Sequence, residues 1–188
     1  MPSAAPTELA SAILDVVRAG ARVVNLSLAL LQSSTRGEWE LQQALDLTAR
    51  KAVIVVAAAG NQGTVGGTTI TRHPWVIPVV ACDSQGRPMA LSNLGSSIGR
   101  RGVGGPGERV TSLRASGGAM IMSGTSVAAP FVTGAVALLW SRFPDANAAE
   151  IKLAVSGAWL RRDTIAPPLL NVQAAYEALA QRGHSISL

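Results

Sequence analysis

The sequence predicts an α/β fold of three layers, in which helices cover both faces of a parallel β-sheet. Two predicted strands, residues 52–59 and 76–81, are almost uninterrupted apolar runs, which is typical of strands that are buried on both faces. Segments with helical periodicity alternate with the strands, and this order favours right-handed crossover connections. The chain has 188 residues, 48% of them hydrophobic and 14% charged. It is therefore long and apolar enough to form one packed domain over residues 1–188.

The first part of the chain predicts two helices and three strands in alternation. Apolar residues recur at helical spacing between positions 9 and 17, and residues 22–28 form a short, β-branched strand. A second helical pattern at 41–48 leads into the strand at 52–59. Residues 76–81 predict the third strand.

The second part of the chain predicts a loop, a short strand and then helices. Residues 93–107 are rich in glycine and serine and predict a loop, and residues 108–113 predict a short strand. Residues 126–140 are apolar nearly all round, which predicts a buried helix. A capping box at 147–150 predicts the start of another helix. A last amphipathic helix is predicted after Asn171.

Composition and charge exclude several classes of function. The net charge of +5 comes almost entirely from arginine, and the basic runs are short with no interleaved aromatic residues, so we expect no nucleic-acid partner. The start of the chain carries Glu8 and Asp15, unlike a signal peptide, and no apolar stretch reaches the roughly 18 residues of a membrane span. No cluster of histidine, cysteine and carboxylate side chains has metal-ligand spacing, so neither a metal nor a cofactor is expected. The compartment is not predicted.

Ser126 is the strongest candidate for a catalytic residue. It lies at the predicted start of the buried helix, where unpaired backbone N–H groups and the positive end of the helix dipole favour a developing oxyanion. A serine at the start of a helix is most often only a cap. The sequence around it, Ser-Gly-Thr-Ser-Val-Ala-Ala-Pro at 123–130, is what favours a nucleophile.

This stretch resembles the nucleophile segment of the subtilisin-like serine peptidases, Gly-Thr-Ser-Met-Ala-x-Pro. Residues 57–61 resemble the family's Ala-Ala-Gly-Asn segment, whose asparagine donates to the tetrahedral oxyanion. Without the resemblance, Asn61 before a glycine-containing loop is typical of a turn. The resemblance implies a hydrolase that cleaves peptide bonds through an acyl-enzyme on Ser126, with Asn61 in the oxyanion hole.

The resemblance also implies where a peptide or protein substrate would bind. Ser27, Leu28 and Ala29 match the end of a strand along which the substrate backbone pairs. The opposite wall of the primary specificity pocket would consist of Ala58, Ala59 and Gly60, with Gly124 and Thr125 beside the nucleophile. The chain departs from the family's Ser-Leu-Gly-Gly at Ala29 and Leu30, which add side chains where the substrate backbone comes close.

The acid and the base of the family have no recognisable counterpart in these residues. The resemblance covers only the C-terminal two-thirds or so of a subtilisin-like domain, so we expect the Asp and His motifs and the N-terminal strands to precede Met1. His73 is predicted to be a loop residue, with a replacement base as the alternative. We expect the strand at Val23–Leu28 to have an unpaired edge, covered by a complementing N-terminal segment or by self-association.

Two hypotheses from different classes follow. In the first, the chain is the serine-bearing portion of a subtilisin-like endopeptidase, incompetent alone because Ser126 lacks its base. In the second, it is a non-catalytic relative that binds peptides or serves assembly. The presence of both Ser126 and Asn61 favours the first hypothesis. The absent acid and base, together with Ala29 and Leu30, favour the second.

Overall fold

The computed structural model of the protein describes residues 3–30, 35–157 and 162–185. The helices are α1 (Pro6–Arg18), α2 (Thr35–Arg50), α3 (Thr69–Arg72), α4 (Ser96–Arg101), α5 (Thr125–Arg142), α6 (Ala148–Ser156) and α7 (Val172–Ser185). The strands are β1 (Ser3–Ala4), β2 (Val23–Leu26), β3 (Ala29–Leu30), β4 (Ile54–Ala58), β5 (Val76–Cys82), β6 (Val103–Pro106), β7 (Val110–Leu113) and β8 (Ala119–Met122). No helix in the described ranges has the length and apolarity that crossing a lipid bilayer requires.

Four parallel strands form the central sheet, in the order β2-β4-β5-β6. Val24 lies opposite Val55, and Val56 lies opposite Ile77. Alternate side chains of β4 point to opposite faces, so Ile54 and Val56 pack with α5, α6 and α7, whereas Val55 packs with α1 and α2. The predicted α/β/α layers and parallel sheet are confirmed.

The prediction of a loop over residues 93–107 is wrong, because this stretch contains α4 and the edge strand β6. Its glycines mark close packing rather than a turn. A Cβ atom on Gly104 would stand 2.5 Å from the Sγ atom of Cys82 on β5. A Cβ atom on Gly105 would stand 3.0 Å from the carbonyl oxygen of Ala128, in the first turn of α5. Side chains are excluded here because β5 and α5 both lie against the backbone of β6.

Two smaller elements differ from or extend the sequence prediction. The predicted strand at 108–113 is present as β7, but its antiparallel partner β8 was not predicted. The two strands are joined by a turn in which Gly117 and Gly118 have positive φ angles.

The predicted capping box at the start of α6 is confirmed. The Asn147 side chain accepts from the Glu150 N–H at 3.0 Å, and Glu150 Oε2 accepts from the Asn147 N–H at 2.9 Å.

The opposite edge of the sheet is formed by β2. Among the described strands it pairs only with β4, so one side of its backbone has no sheet neighbour. Val23 and Val24 are half-buried, whereas Asn25 is exposed. The unpaired edge expected from the sequence is therefore present in the described part of the chain.

Candidate active site

Ser126 is the second residue of α5, at the edge of the sheet where the parallel strands end. Gly124 turns the chain into the helix with a φ of 129°, a conformation that glycine adopts most readily. The Gly124 N–H donates to the Gly107 carbonyl at 2.8 Å, which attaches this turn to the chain after β6. Ser126 is half-buried, and its hydroxyl has no hydrogen-bond partner within the described ranges. The hydroxyl thus lies at the positive end of the helix dipole.

The side chain of Asn61 is oriented by Thr125, the residue before the serine. Asn61 Oδ1 accepts two hydrogen bonds from Thr125, one from the backbone N–H and one from the hydroxyl, both at 2.9 Å. Because the amide oxygen is engaged in this way, Nδ2 is the group left to donate. Nδ2 would lie 2.9 Å from a Cβ atom on Gly124, so only glycine leaves room for it.

Thr125 also connects the helix to the end of β4. Its hydroxyl accepts from the Gly60 N–H at 3.2 Å, and its side chain is fully buried. This buried hydroxyl therefore satisfies a backbone N–H and a side-chain amide oxygen at once. The sequence predicted Thr125 only as a substrate-binding residue, whereas its contacts are those of a positioning residue for Asn61.

Asn93 is a supporting residue that the sequence analysis missed. Its Oδ1 accepts from the Gln62 N–H, the Thr64 N–H and the Thr64 hydroxyl, each at 3.1 Å, and its Nδ2 donates to the Ala59 carbonyl at 3.2 Å. One buried side chain thereby fixes the loop that carries Asn61. The three residues that its side chain binds are about thirty positions away, so no local pattern could have indicated it.

A pocket of about 190 Å³ opens beside the start of α5. Its lining residues are Leu28, Leu30, Ala58, Ala59, Gly60, Gln62, Thr68, Ile70, Asn93 and Thr125. Five residues predicted to bind substrate are therefore brought together in one pocket, and no described residue in its lining carries a charge. Ala29 contributes its backbone to β3, which pairs in parallel with β1.

Ser27 connects the end of β2 to α5. Its hydroxyl donates to the backbone carbonyl of Ser126 at 3.1 Å, and the Asn25 side chain donates to the same hydroxyl at 2.9 Å. The strand predicted to pair with substrate is thus held directly against the first turn of α5. Ser27 lies at the site, where it supports the helix.

His73 is committed to a different part of the molecule. Its Nε2 lies 3.1 Å from Asp46 Oδ1 on α2, and its Nδ1 accepts from the Trp75 N–H at 3.3 Å. Since Nδ1 is an acceptor, the ring proton belongs on Nε2 and is donated to Asp46. The side chain is only 4% exposed. Both ring nitrogens are engaged, which favours a structural role over that of a base for Ser126.

The described residues provide no group of three histidine, cysteine or carboxylate side chains that could hold a metal ion. Residues 102–107 formally match the dinucleotide-binding pattern G-x-G-x-x-G, but four of them form β6, where backbone groups are already paired. The Gly104 N–H donates to the Pro168 carbonyl at 2.7 Å, and the Gly104 carbonyl accepts from the Leu170 N–H at 2.8 Å. The site chemistry therefore consists of hydroxyl, amide and backbone N–H groups.

A family model described as the subtilase family matches residues 2–164 of the chain. The chain belongs to the subtilase family. Subtilisin DY of Bacillus licheniformis is 34% identical over 137 residues, which cover 71% of this chain and 47% of the relative. The thermophilic serine proteinase of Bacillus sp. (strain AK1) is 35% identical over 149 residues, or 79% of this chain and 35% of the relative. This subtilase chain thus spans less than half the length of these curated relatives.

Solved structures of subtilases superpose on nearly the whole chain. The prenylagaramide maturation protease PagA gives a TM-score of 0.83 at 29% identity, covering 93% of this chain and 67% of PagA. The patellamide maturation protease PatA gives a TM-score of 0.83 at 30% identity, covering 94% of this chain and 69% of PatA. The subtilase fold predicted from the resemblance is therefore confirmed.

Proposed function

We propose that this chain is the serine-bearing portion of a subtilisin-like serine endopeptidase. The single observation that carries the proposal is the pair of 2.9 Å hydrogen bonds from Thr125 to Asn61 Oδ1, immediately before Ser126. This arrangement leaves an amide donor and a helix N-terminus beside a serine hydroxyl. A peptide-binding module has no physical need of that combination.

In the proposed reaction, Ser126 Oγ attacks the carbonyl carbon of a peptide bond. The negative charge that develops on the carbonyl oxygen is stabilised by Asn61 Nδ2 and by the N–H groups at the start of α5. The hydroxyl proton passes through the base to the amine, which leaves as the C–N bond breaks, and water then hydrolyses the acyl-enzyme that remains on Ser126. The pocket beside Thr125 receives the side chain that precedes the cleaved bond.

The acid and the base are proposed to come from polypeptide outside the described residues. The unpaired edge of β2 supports this part of the proposal, because a strand added there would lie next to the carboxyl end of β2 and the start of α5. A complementing N-terminal segment is the preferred source. Self-association of two chains through Val23–Leu28 is the alternative.

The second candidate function is a non-catalytic module that binds peptides or serves assembly. The specific observation in its favour is that His73 is bonded to Asp46 and Trp75 rather than to Ser126. In this alternative, the pocket and the end of β2 bind an extended peptide without cleaving it.

Labelling with a fluorophosphonate tests the proposal. The folded chain is treated alone and after refolding with a polypeptide that carries the Asp and His motifs of the family. We expect labelling of the complemented chain that disappears in Ser126→Ala and persists in Ser141→Ala, an exposed serine on the same helix. The binding module would be favoured if the unchanged chain, Ser126→Ala and Ser141→Ala were labelled equally, or if the complemented chain were not labelled.

Light scattering and hydrogen exchange test the role of the β2 edge. Either partner should protect the backbone amides of residues 23–26, and self-association should also double the molar mass. If the chain alone is a monomer and its β2 edge is already protected from exchange, both the complementing segment and self-association are contradicted as partners of that edge.

A further inference from the structure

Gln62 forms part of the wall of the pocket beside α5, and its side-chain amide has a fixed orientation. Gln62 Oε1 accepts from Asn93 Nδ2 at 2.7 Å, so the oxygen of this amide is engaged. Within the described ranges, Gln62 Nε2 has no hydrogen-bond partner. An amide that is held by its oxygen in this way can offer its N–H groups to a ligand in the pocket.

The neighbouring amide of Asn93 is not available to a ligand. Its Oδ1 accepts from the N–H groups of Gln62 and Thr64, and its Nδ2 donates both to Gln62 Oε1 and to the Ala59 carbonyl. Gly60 leaves the space for this pair of amides, since a Cβ atom there would stand 2.7 Å from Gln62 Oε1. Asn93 is buried, whereas Gln62 is exposed. Gln62 Nε2 is therefore the amide donor that a ligand can reach.

The rest of the pocket lining is apolar or already bonded. Leu28 and Leu30 pack against the apolar cluster that contains Ile70. The Thr68 hydroxyl accepts from the Thr71 N–H at 3.2 Å and so serves as the cap of α3. No described lining residue carries a charge, so a charged side chain would lose its hydration without gaining a counter-charge.

The size of the pocket suits a single side chain. Its volume of about 190 Å³ is below the roughly 300–1,000 Å³ of sites that hold whole small molecules. An apolar stem that ends in a neutral hydrogen-bond acceptor matches both the apolar residues and the free N–H groups of Gln62.

We propose that Gln62 determines specificity in this pocket and selects a side chain with an apolar stem and a terminal carbonyl oxygen, of which glutamine is the representative. The inference rests on the proposed function, in which the pocket receives the side chain that precedes the cleaved bond. Gln62 Nε2 donates to the carbonyl oxygen of that side chain, and Leu30 and Ile70 contact its methylene groups. A methionine side chain has a similar length but no carbonyl oxygen, so it is the natural comparison.

Peptide binding tests this selection without the acid or the base. The full-length Ser126→Ala chain is titrated at pH 7.5 with N-acetylated tetrapeptide amides, three alanines followed by glutamine, methionine, glutamate or lysine, and Kd is measured by NMR titration. We expect the glutamine peptide to bind about fivefold more tightly than the methionine peptide, which is the effect of one neutral hydrogen bond. The glutamate and lysine peptides should bind more weakly than the glutamine peptide. Equal Kd values for the glutamine and methionine peptides, or no measurable binding of any peptide, would overturn the proposal.

Gln62→Glu separates selection from a structural role, because it exchanges only the free NH₂ group for an oxygen. The other carboxylate oxygen can still accept from Asn93 Nδ2, so the shape of the wall is kept. We expect the glutamine peptide to lose its advantage over the methionine peptide and the lysine peptide to become the tightest binder. Gln85→Glu makes the same change in net charge at an exposed position outside the pocket lining and should leave the order of the four peptides unchanged. An equal loss of affinity for all four peptides in Gln62→Glu would contradict selection by this residue.

Failure of this inference can be distinguished from failure of the proposed peptidase function. If the complemented chain is labelled by the fluorophosphonate but the glutamine and methionine peptides bind equally, the peptidase stands and the selection by Gln62 is refuted. If the peptides bind in the expected order but no labelling occurs, Gln62 selects the ligand of a peptide-binding module instead.

Discussion

At the scale of single residues, the orientation of Asn61 depends on its neighbour Thr125. A side-chain amide at the end of a strand can present either its oxygen or its nitrogen, and only the nitrogen can stabilise an oxyanion. The two hydrogen bonds from Thr125 occupy the oxygen and so decide the orientation of the amide in the folded chain. A donor that is already aligned requires no reorganisation during the reaction, which is the basis of electrostatic preorganisation.

Replacement of Thr125 by valine tests this role with almost no change in volume. The Gly60 N–H loses its acceptor and Asn61 Oδ1 loses one donor, so we expect the free energy of unfolding to fall by about 1–3 kcal/mol. Urea denaturation measures the difference, with Thr111→Val on the exposed face of β7 as the control. An unchanged midpoint for Thr125→Val would show that these bonds contribute nothing to the fold.

Gly124→Ala adds a methyl group where the backbone and the space both require glycine. The φ of 129° is costly for alanine, and the new Cβ would lie 2.9 Å from Asn61 Nδ2. We expect a loss of about 1–3 kcal/mol in the free energy of unfolding. Gly117→Ala is the matched control, because Gly117 also has a positive φ but no neighbour within 4 Å. If Gly124→Ala loses no more stability than Gly117→Ala, the backbone conformation alone explains the loss and the contact with Asn61 contributes nothing.

The local sequence predicted Ser126 and Asn61, which the structure brings together, but not the residues that hold them. Ser126 and Asn61 each lie in a short stretch that resembles a segment of the family, so the residues on either side carried the prediction. Asn93 binds a loop some thirty residues away, and a contact of that kind leaves no periodicity or spacing in the sequence. The catalytic roles of Ser126 and Asn61 stay predictions, which fluorophosphonate labelling tests.

At the scale of elements, apolar runs and capping residues could be recognised in the sequence, whereas the glycine-containing strand β6 and the short strand β8 were not predicted. β4 and β5 were predicted because every position is apolar, and α6 because of its capping box. β6 contains two adjacent glycines, and the same composition is typical of a loop. Only the contacts with β5 and α5 distinguish the two structures.

A double-mutant cycle tests whether close packing explains the glycine at position 104. We expect Gly104→Ala to lower the free energy of unfolding by about 1–3 kcal/mol, since its Cβ would meet the Cys82 sulfur. In the Cys82→Ala background that sulfur is absent, so the same substitution should cost less. Thermal or urea denaturation of the four chains measures the coupling. Strictly additive losses would contradict this account of the strand.

At the scale of the whole molecule, the order of helices and strands predicted the layers, but no sequence pattern gave the order of strands in the sheet. The position of β2 at one edge was expected only through the family resemblance. Its free backbone is a property of the assembled sheet, because it depends on which strands lie next to one another. The same holds for Lys152 of α6, because its pKa depends on burial and on Arg101 of α4, which no sequence pattern places beside it.

The pH dependence of the free energy of unfolding tests the contribution of the Lys152 ammonium group. The pKa of Lys152 is about 8 in the folded chain and about 10.4 when unfolded, so between these values the unfolded state binds more protons. Stability from this group therefore rises with pH across that window. After allowance for partial exposure, we expect a rise of about 1–2 kcal/mol from pH 8 to pH 10.

Lys152→Met isolates the contribution of the lysine. Burial raises the pKa of the Cys82 thiol, which opposes the trend at alkaline pH, so the two chains are compared at each pH. The variant should be the more stable chain at pH 7 and lose its advantage by pH 10. Parallel curves of unfolding free energy against pH would refute the expected contribution.

The contact between α5 and β6 determines how accurately the serine is positioned. A Cβ atom at Gly105 would stand 3.0 Å from the carbonyl oxygen of Ala128, which lies two residues after Ser126. The first turn of the helix therefore rests on bare backbone, with no intervening side chains that could change rotamer or be compressed. Ser126 gains positional accuracy from this contact, and in return position 105 can accept a side chain only if the first turn of α5 moves.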